Sequence, residues 1–351
     1  MHRFEEAVRS IGERAPTGAS LKRMFAYWES GERAVTVEAY RRAFVMIYQA
    51  PYEALGFAPN DETGRIAILR EGPELYDVDQ GLVALFESQT QNLRMLDRRL
   101  GTAALMQQTE MHVTQMEAVL QNSVGGRRTE LAAALAAAAG LAGWQALDQG
   151  SIQRAWQLHD VARSAARESE NPTLLAHVTA QSAYVLLDAS QSNLALQRIQ
   201  SAAQALGSRS PRLLSVWLAA AEAEAAAAVG NESHAQRQLD EAYALLPDGD
   251  DAGELPYLML DEKHLARWRG HCLARLGKLE AIDYLNVALE RVGDSVRAAT
   301  GLHVDLAHAH RQAGQLVEAR EQVKTAIDLA GRFGSRRQQN RLRALLPTTK
   351  G

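Results

Sequence analysis

Five times along the C-terminal two thirds of the chain, an alanine that opens a helical stretch is followed seven positions later by another alanine. The pairs are Ala155 and Ala162, Ala195 and Ala202, Ala235 and Ala242, Ala281 and Ala288, and Ala319 and Ala326. Four positions after the anchors stand His159, Ile199, Leu239, Leu285 and Val323, apolar in four of the five units. Gly143, Ala183, Ala223 and Ala307 lie twelve positions before their anchors, and Gly270 lies eleven before Ala281 because that turn is one residue shorter. Turn residues precede every anchor: Gln149-Gly150, Ser190-Gln191-Ser192, Gly230-Asn231, Gly277-Lys278 and Gly314-Gln315. Two helices joined by a short turn approach closely only where neither carries a bulky side chain, so a small residue on the first and two on the second mark a crossing. A sequence with this period folds as an array of helix pairs, each burying the face its neighbour cannot cover alone.

The rest of the composition agrees. Nine prolines fall mostly between long stretches of alanine, leucine, glutamine, arginine and glutamate, which favour helix. Apolar residues recur at three and four positions rather than two. One segment is expected to extend, 64–75, where Ile66, Ile68 and Leu69 sit between Gly64 and Gly72-Pro73; it reads as a linker with one short strand. A helix or helix pair is expected over 78–121, broken near Gly101, with Gly125-Gly126 separating it from the alanine-rich remainder. The fold class is all-α. The array resembles the tetratricopeptide repeat, with five units over residues 132–335. Its spacings of 40, 40, 46 and 38 exceed the family's usual length of about 34, and the proline that ends each unit is mostly missing. The resemblance implies a divergent α-solenoid with longer helices or loops.

Thirty-eight basic against forty-two acidic side chains give a net charge of −4, so no whole-chain field draws the protein to nucleic acid or membrane. Any DNA contact must come from a local patch. A single cysteine, Cys272, excludes an internal disulfide framework and a multi-cysteine zinc site. The N-terminus carries charges throughout, unlike a signal peptide. The apolar run Leu131–Trp144 is too short to span a bilayer. A cytoplasmic protein is expected.

Residues 1–57 read as a helical block, ended by the turn chemistry of 58–64; the expected organisation is an N-terminal domain at 1–57, a linker and connecting helices at 58–125, and the repeats at 126–346. Phe4, Ala7, Val8 and Ile11 pattern a first short helix, with a turn over 12–19. Leu21, Phe25 and Trp28 make one apolar stripe on a second helix, which Ser20 caps and Gly31 stops. Tyr40, Phe44, Ile47 and Tyr48 stripe a third. The second helix turns Lys22, Arg23, Ala26 and Tyr27 to its opposite face, an arrangement in which such a helix enters the major groove. The Trp28-Glu29-x-Gly31 ending, the stretch 37–47 and the closing Glu53-Ala54-Leu55-Gly56-Phe57 resemble the lambda-repressor-like (XRE) helix-turn-helix family. They are most similar to the actinobacterial regulators that join this module to C-terminal tetratricopeptide repeats. The segments 89–101 and 264–273 resemble that family too, so the likeness covers nearly the whole chain. The family's module carries one more helix before the turn pair, and Met1 leaves almost no room for it: either the true start lies upstream or the module is shortened. Eight basic residues (Arg3, Arg9, Arg14, Lys22, Arg23, Arg33, Arg41, Arg42) face seven glutamates in the block.

The resemblance implies DNA as a partner, a homodimer, and a peptide or small-molecule effector. Lys22 or Arg23 would read guanine O6 and N7, Ser20, Arg33 and Arg14 would hold phosphates, and Tyr27 would meet a phosphate or a thymine methyl. Trp28 is assigned to the core. Transferring the family's inward-facing positions gives Trp144, His177, Gln181, Tyr184, Trp217, Glu224, His264, Arg267, Trp268, His271, Arg275, Asp305, His308 and Arg311 as groove residues, suited to an extended peptide or a small anionic ligand. Their bland alternative is that the tryptophans fill gaps between helices. No phosphate-loop, dinucleotide or His-Glu-x-x-His motif occurs, so no enzyme and no cofactor are expected. On a helix, His303 and His310 share a face that His308 leaves, so a metal site is not expected. Arg332, Arg336, Arg337, Arg341 and Arg343 read as a solvated basic helix, or as an added DNA or partner contact. A second reading of the whole chain is a tetratricopeptide interaction scaffold whose N-terminal block is a helical cap that does not bind DNA.

Overall fold

The computed structural model describes residues 2–48, 50, 52–57, 76–124, 126–247, 258 and 260–345. Among them the chain is all-α except for Tyr76–Asp77 (β1) and Ser123–Val124 (β2), which pair in parallel. The strand expected within 64–75 lies outside the described residues. The chain divides into two compact units, 1–74 and 75–351.

The first unit contains α1 (His2–Ser10), α2 (Gly18–Glu29), α3 (Glu38–Tyr48) and a 3-10 turn at Glu53–Leu55. Its core is aromatic: Phe4 is buried, with its ring centroid 5.0 Å from Phe44, 5.2 Å from Phe25, 5.5 Å from Tyr40 and 5.8 Å from Trp28. Leu21 from α2 and Ala43 from α3 complete it. Gly31 follows the end of α2 at φ +72°, the left-handed conformation that stops a helix. Three details depart from the sequence reading. Ile11 falls beyond the end of α1. Thr17, not Ser20, occupies the N-cap of α2, because the helix begins one turn earlier and leaves Ser20 inside its first turn. Tyr48 is 63% exposed, stacked on Phe44 rather than buried beside it.

The second unit opens with α4 (Gln80–Leu100) and α5 (Met106–Gln121). The Asp79 carboxylate caps α4 by accepting from the Leu82 amide at 2.7 Å. Gly101 at φ +76° ends the helix. Five helix pairs follow: α6 (Arg128–Asp148) with α7 (Ile152–Glu168); α8 (Pro172–Gln181) and α9 (Ala183–Asp188) with α10 (Ser192–Leu206); α11 (Arg212–Val229) with α12 (Glu232–Leu245); α13 (Glu262–Arg275) with α14 (Ala281–Glu290); α15 (Val296–Gln312) with α16 (Leu316–Phe333). Each pair also packs on the next, with α6 against α8, α8 against α11, α11 against α13 and α13 against α15. The five anchor alanines and their partners seven residues on are all buried. Helix α6 is long and apolar enough to cross a membrane by composition, and its apolar surface is consumed by packing within the unit.

Close crossings explain the glycines. A Cβ on Gly143 would sit 2.9 Å from His159 Nε2, and one on Gly270 would sit 2.8 Å from the Leu285 side chain and 3.2 Å from its backbone nitrogen. Alanine normally gains about 1 kcal/mol over glycine inside a helix, but here it would force α13 and α14 apart. Gly270→Ala is therefore expected to destabilise by about 1–3 kcal/mol, the usual range for overpacking. A urea midpoint equal to or above that of the parent protein would refute the crossing.

The array returns on itself. Helix α15 touches α4, and a final helix, α17 (Arg336–Leu345), packs on α6, α15 and α16. Arg297 at the start of α15 donates from Nη2 to Asp97 Oδ2 (2.5 Å) and Thr102 Oγ1 (2.6 Å). Gln145 Nε2 donates to the other Asp97 oxygen at 3.0 Å, and Ser335 Oγ donates to Asp148 at 2.7 Å. A Cβ on Gly101 would be 2.8 Å from the Phe333 backbone oxygen. The C-terminal arginines divide accordingly. Arg332, Arg336 and Arg343 are exposed, but α17 is not a solvated helix: Arg337 makes a two-pronged pair with Asp188 (2.6 and 2.8 Å), and Arg341 pairs with Asp305.

Candidate functional site

A cavity of about 1020 Å³ lies within the second unit, walled by α4, α6, the first helices of the later pairs, and α17. It brings together Trp144, His177, Gln181, Tyr184, Trp217, Glu224, His264, Arg267, Trp268, His271, Arg275 and Asp305. Arg94 and Arg98 from α4, Lys263, and Arg337 and Arg341 from α17 also line it, and none of these stood among the expected groove residues. His308 and Arg311 do not line it. His308 Nε2 lies 2.7 Å from Gln312 Nε2 one turn on in α15, and Arg311 donates to the Leu345 carbonyl and so serves the α15–α17 contact. A smaller hollow of about 520 Å³ surrounds Arg269, whose charge is matched by Asp240 at 2.6 Å and whose guanidinium lies over Tyr243.

Aromatic rings run through the cavity wall in contact. Trp144 meets Tyr184 at 5.2 Å, Tyr184 meets Trp217 at 6.3 Å, Trp217 meets Trp268 at 6.5 Å, and His177 stands edge-on to Trp217 at 4.9 Å. Behind them is a charge network. Glu224 Oε2 accepts from Trp268 Nε1 at 2.8 Å and from the Tyr184 hydroxyl at 3.3 Å, while Oε1 lies 3.4 Å from His271 Nε2. His271 Nδ1 meets Asp305 Oδ2 at 2.9 Å. Burial disfavours every charge here, yet the partners prevail. His271, Arg337 and Trp268 hold the Glu224 carboxyl down at about 2, and Arg341 with His271 holds Asp305 well below the carboxylate range. Burial works against the His271 imidazolium too, and the two carboxylates outweigh it and raise its pKa. Glu224, His271 and Asp305 are thus tied to one another and to the protein.

His177 behaves oppositely. Burial and the nearby Arg94 push it down to about 3, so it is neutral at physiological pH. His159, outside the cavity and against Gly143, is depressed by burial to about 4. Burial also raises the Cys272 thiol well above its usual value, which leaves no thiolate nucleophile. His303, His308 and His310 each turn to a different glutamine, and no group of metal-holding side chains occurs among the described residues.

In the first unit, Arg14, Ser20, Lys22, Arg23 and Arg33 are exposed and Tyr27 is half-buried. The apolar stripe of α2 faces inward, which turns Lys22 and Arg23 outward. Neither forms an ion pair among the described residues, whereas Arg9 pairs with Glu5, and Arg41 and Arg42 with Glu38. Arg33 lies over the Tyr27 ring at 4.8 Å, so these two form one surface rather than separate contacts.

No family model matches the chain. No curated protein matches it either.

Proposed function

We propose that the protein is a cytoplasmic DNA-binding transcriptional regulator of the XRE helix-turn-helix type, with a tetratricopeptide-like solenoid that senses a peptide or small molecule. The observation that carries the DNA half is α2: its inner face is spent on the aromatic core, and its outer face presents Lys22 and Arg23 free of carboxylates. Arg14, Ser20 and Arg33 flank it and serve the phosphates, while Tyr27, beneath Arg33, supports that contact. The cavity of the second unit supports the sensing half. Two copies act together, because one short recognition helix reads too few base pairs and two-fold proteins bind paired half-sites. An effector shifts the regulator only by binding its two states unequally.

The test is fluorescent-DNA binding across a salt series, comparing the gene's own upstream duplex with a scrambled one. Specific binding should weaken steeply with salt. Each base contact is worth ~1–3 kcal/mol, so Lys22→Ala with Arg23→Ala should cost roughly 30-fold or more in specific affinity, with helix content unchanged. Sequence-specific binding retained by that double variant would remove α2 from the interface. The scaffold reading keeps one observation in its favour, the near balance of eight basic residues and seven glutamates in residues 1–57. Equal weak binding to both duplexes, or none, would establish that reading instead.

A further inference from the structure

The cavity of the second unit is lined by nine arginines and lysines and five carboxylates. All five carboxylates are already engaged. Asp97 holds Arg297, Asp188 holds Arg337, and Asp305 holds Arg341 and His271. Glu224 serves Trp268, Tyr184 and His271, and Asp261 caps α13 while accepting from His264. Helix α17 thereby takes up much of the cavity's negative charge and leaves its positive charge in excess. Arg267 is the clearest case. It is half-buried in the wall and forms no hydrogen bond or ion pair among the described residues. Burial lowers its pKa and Arg98 adds to this, while the charges of Glu224 and Asp305, both already engaged by other groups, work the other way. Burial, Arg267 and Arg98 together lower the pKa of His264 against the pull of Asp261. On another side of the cavity Arg94 donates to the neutral Gln91 at 2.6 Å and lies near His177. A guanidinium such as that of Arg267, held in the wall without a bonded acceptor among the described residues, costs desolvation that an anion would offset.

We propose that this cavity binds a small organic oxyanion with a flat aromatic or apolar body, its carboxylate or phosphate group received by Arg267 and its body lying along Trp217 and Tyr184. Guanidinium forks match planar carboxylate and phosphate oxygens two at a time, which makes Arg267 the anchor. The ring chain supplies the apolar wall that such pockets use to hold the rest of a ligand. Helix α17 occupies the side that would otherwise accept a basic group through Asp188 and Asp305. The inference rests on the sensing half of the reading above.

Isothermal titration of the full-length protein with 1-naphthyl phosphate, 1-naphthylacetate and neutral 1-naphthalenemethanol tests it. At least one of the two anions should bind at least tenfold more tightly than the neutral alcohol, and the tighter of the two identifies the headgroup. Arg267→Met should weaken anion binding at least tenfold with helix content unchanged and a thermal midpoint no lower than that of the ligand-free parent, and Arg267→Lys should recover part of the loss. Equal affinity for anion and alcohol, no anion binding up to millimolar concentration, or anion binding unaltered in Arg267→Met would each overturn the proposal. Should Arg267→Met fail to fold, the anion-to-alcohol comparison on the parent protein decides alone. Loss of these responses with specific DNA binding intact removes this ligand class alone, and the reverse outcome removes the DNA half alone.

Discussion

Asp97→Ala is expected to lower the unfolding free energy of the second unit by about 3 kcal/mol, toward the lower end of the 3–5 kcal/mol that follows loss of one partner from a buried ion pair. The carboxylate is 3% exposed and receives Arg297, Gln145 and Thr102. Alanine would leave the guanidinium without its closest charge and two polar side chains without their acceptor. Arg297 retains 19% exposure and a second carboxylate, Asp148, at 3.8 Å, which moderates the loss. The effect should also spread. Asp97 belongs to α4 and Arg297 to α15, two hundred positions apart, so the substitution loosens the meeting of the array's two ends. Hydrogen exchange should speed up in α4, α15 and α17 before the central pairs. Asp97→Asn, which retains one acceptor, should cost less. A change within about 0.5 kcal/mol, typical of an exposed pair, would mean that the ends are not coupled through this contact.

That closure is also what the sequence concealed. The helix pairs were legible because their constraint is local. Gly270 and Leu285 are fifteen residues apart, and the need for a small residue beneath Leu285 leaves a trace at a fixed offset. The same holds for Gly143 beneath His159. Contacts such as Arg297 with Asp97 or Arg337 with Asp188 span two hundred and about a hundred and fifty positions and repeat nowhere. An arginine in a charged C-terminal stretch reads as solvated until the fold supplies its partner. The cavity was legible in part for the same reason. Trp144, Tyr184, Trp217 and Arg267 sit on the first helices of their pairs, where the period places them. Arg94 and Arg98 reach the cavity from α4, which precedes the repeats and shares no period with them. At the N-terminus the aromatic stripes were readable, and the misplaced cap at Ser20 reflects a helix start that composition leaves ambiguous by a turn.

Acidification should unfold the second unit well before its carboxylates are exhausted, and replacing His159 should delay this. His159 and His177 are held at about 4 and about 3 in the folded protein, against an ordinary value of 6.5. Both pKa values are depressed, so the unfolded chain binds more protons below 6.5. Their contribution is complete above pH 6.5 and is lost as pH falls, by up to about 1.4 kcal/mol per pH unit for each histidine until its folded pKa is reached. Glu224 adds a further loss as pH falls from its ordinary range toward 2. His271 has the opposite sign: its raised pKa gives stability that is complete below 6.5 and lost as pH rises through the folded value. His159 is the informative member. It occupies the position filled by Ile199, Leu239, Leu285 and Val323 in the other pairs, and neither ring nitrogen forms a hydrogen bond among the described residues. His159→Leu removes two unsatisfied polar atoms from a 1% exposed site and places leucine over glycine, as Leu285 already lies over Gly270. It should therefore raise stability at pH 7 by about 1–3 kcal/mol, the cost of leaving a buried polar group unpaired. It should also flatten the fall in urea midpoint between pH 6.5 and 4. A variant that is less stable at pH 7 yet keeps the full acid dependence would show that His159 is satisfied and that the acid limb originates elsewhere.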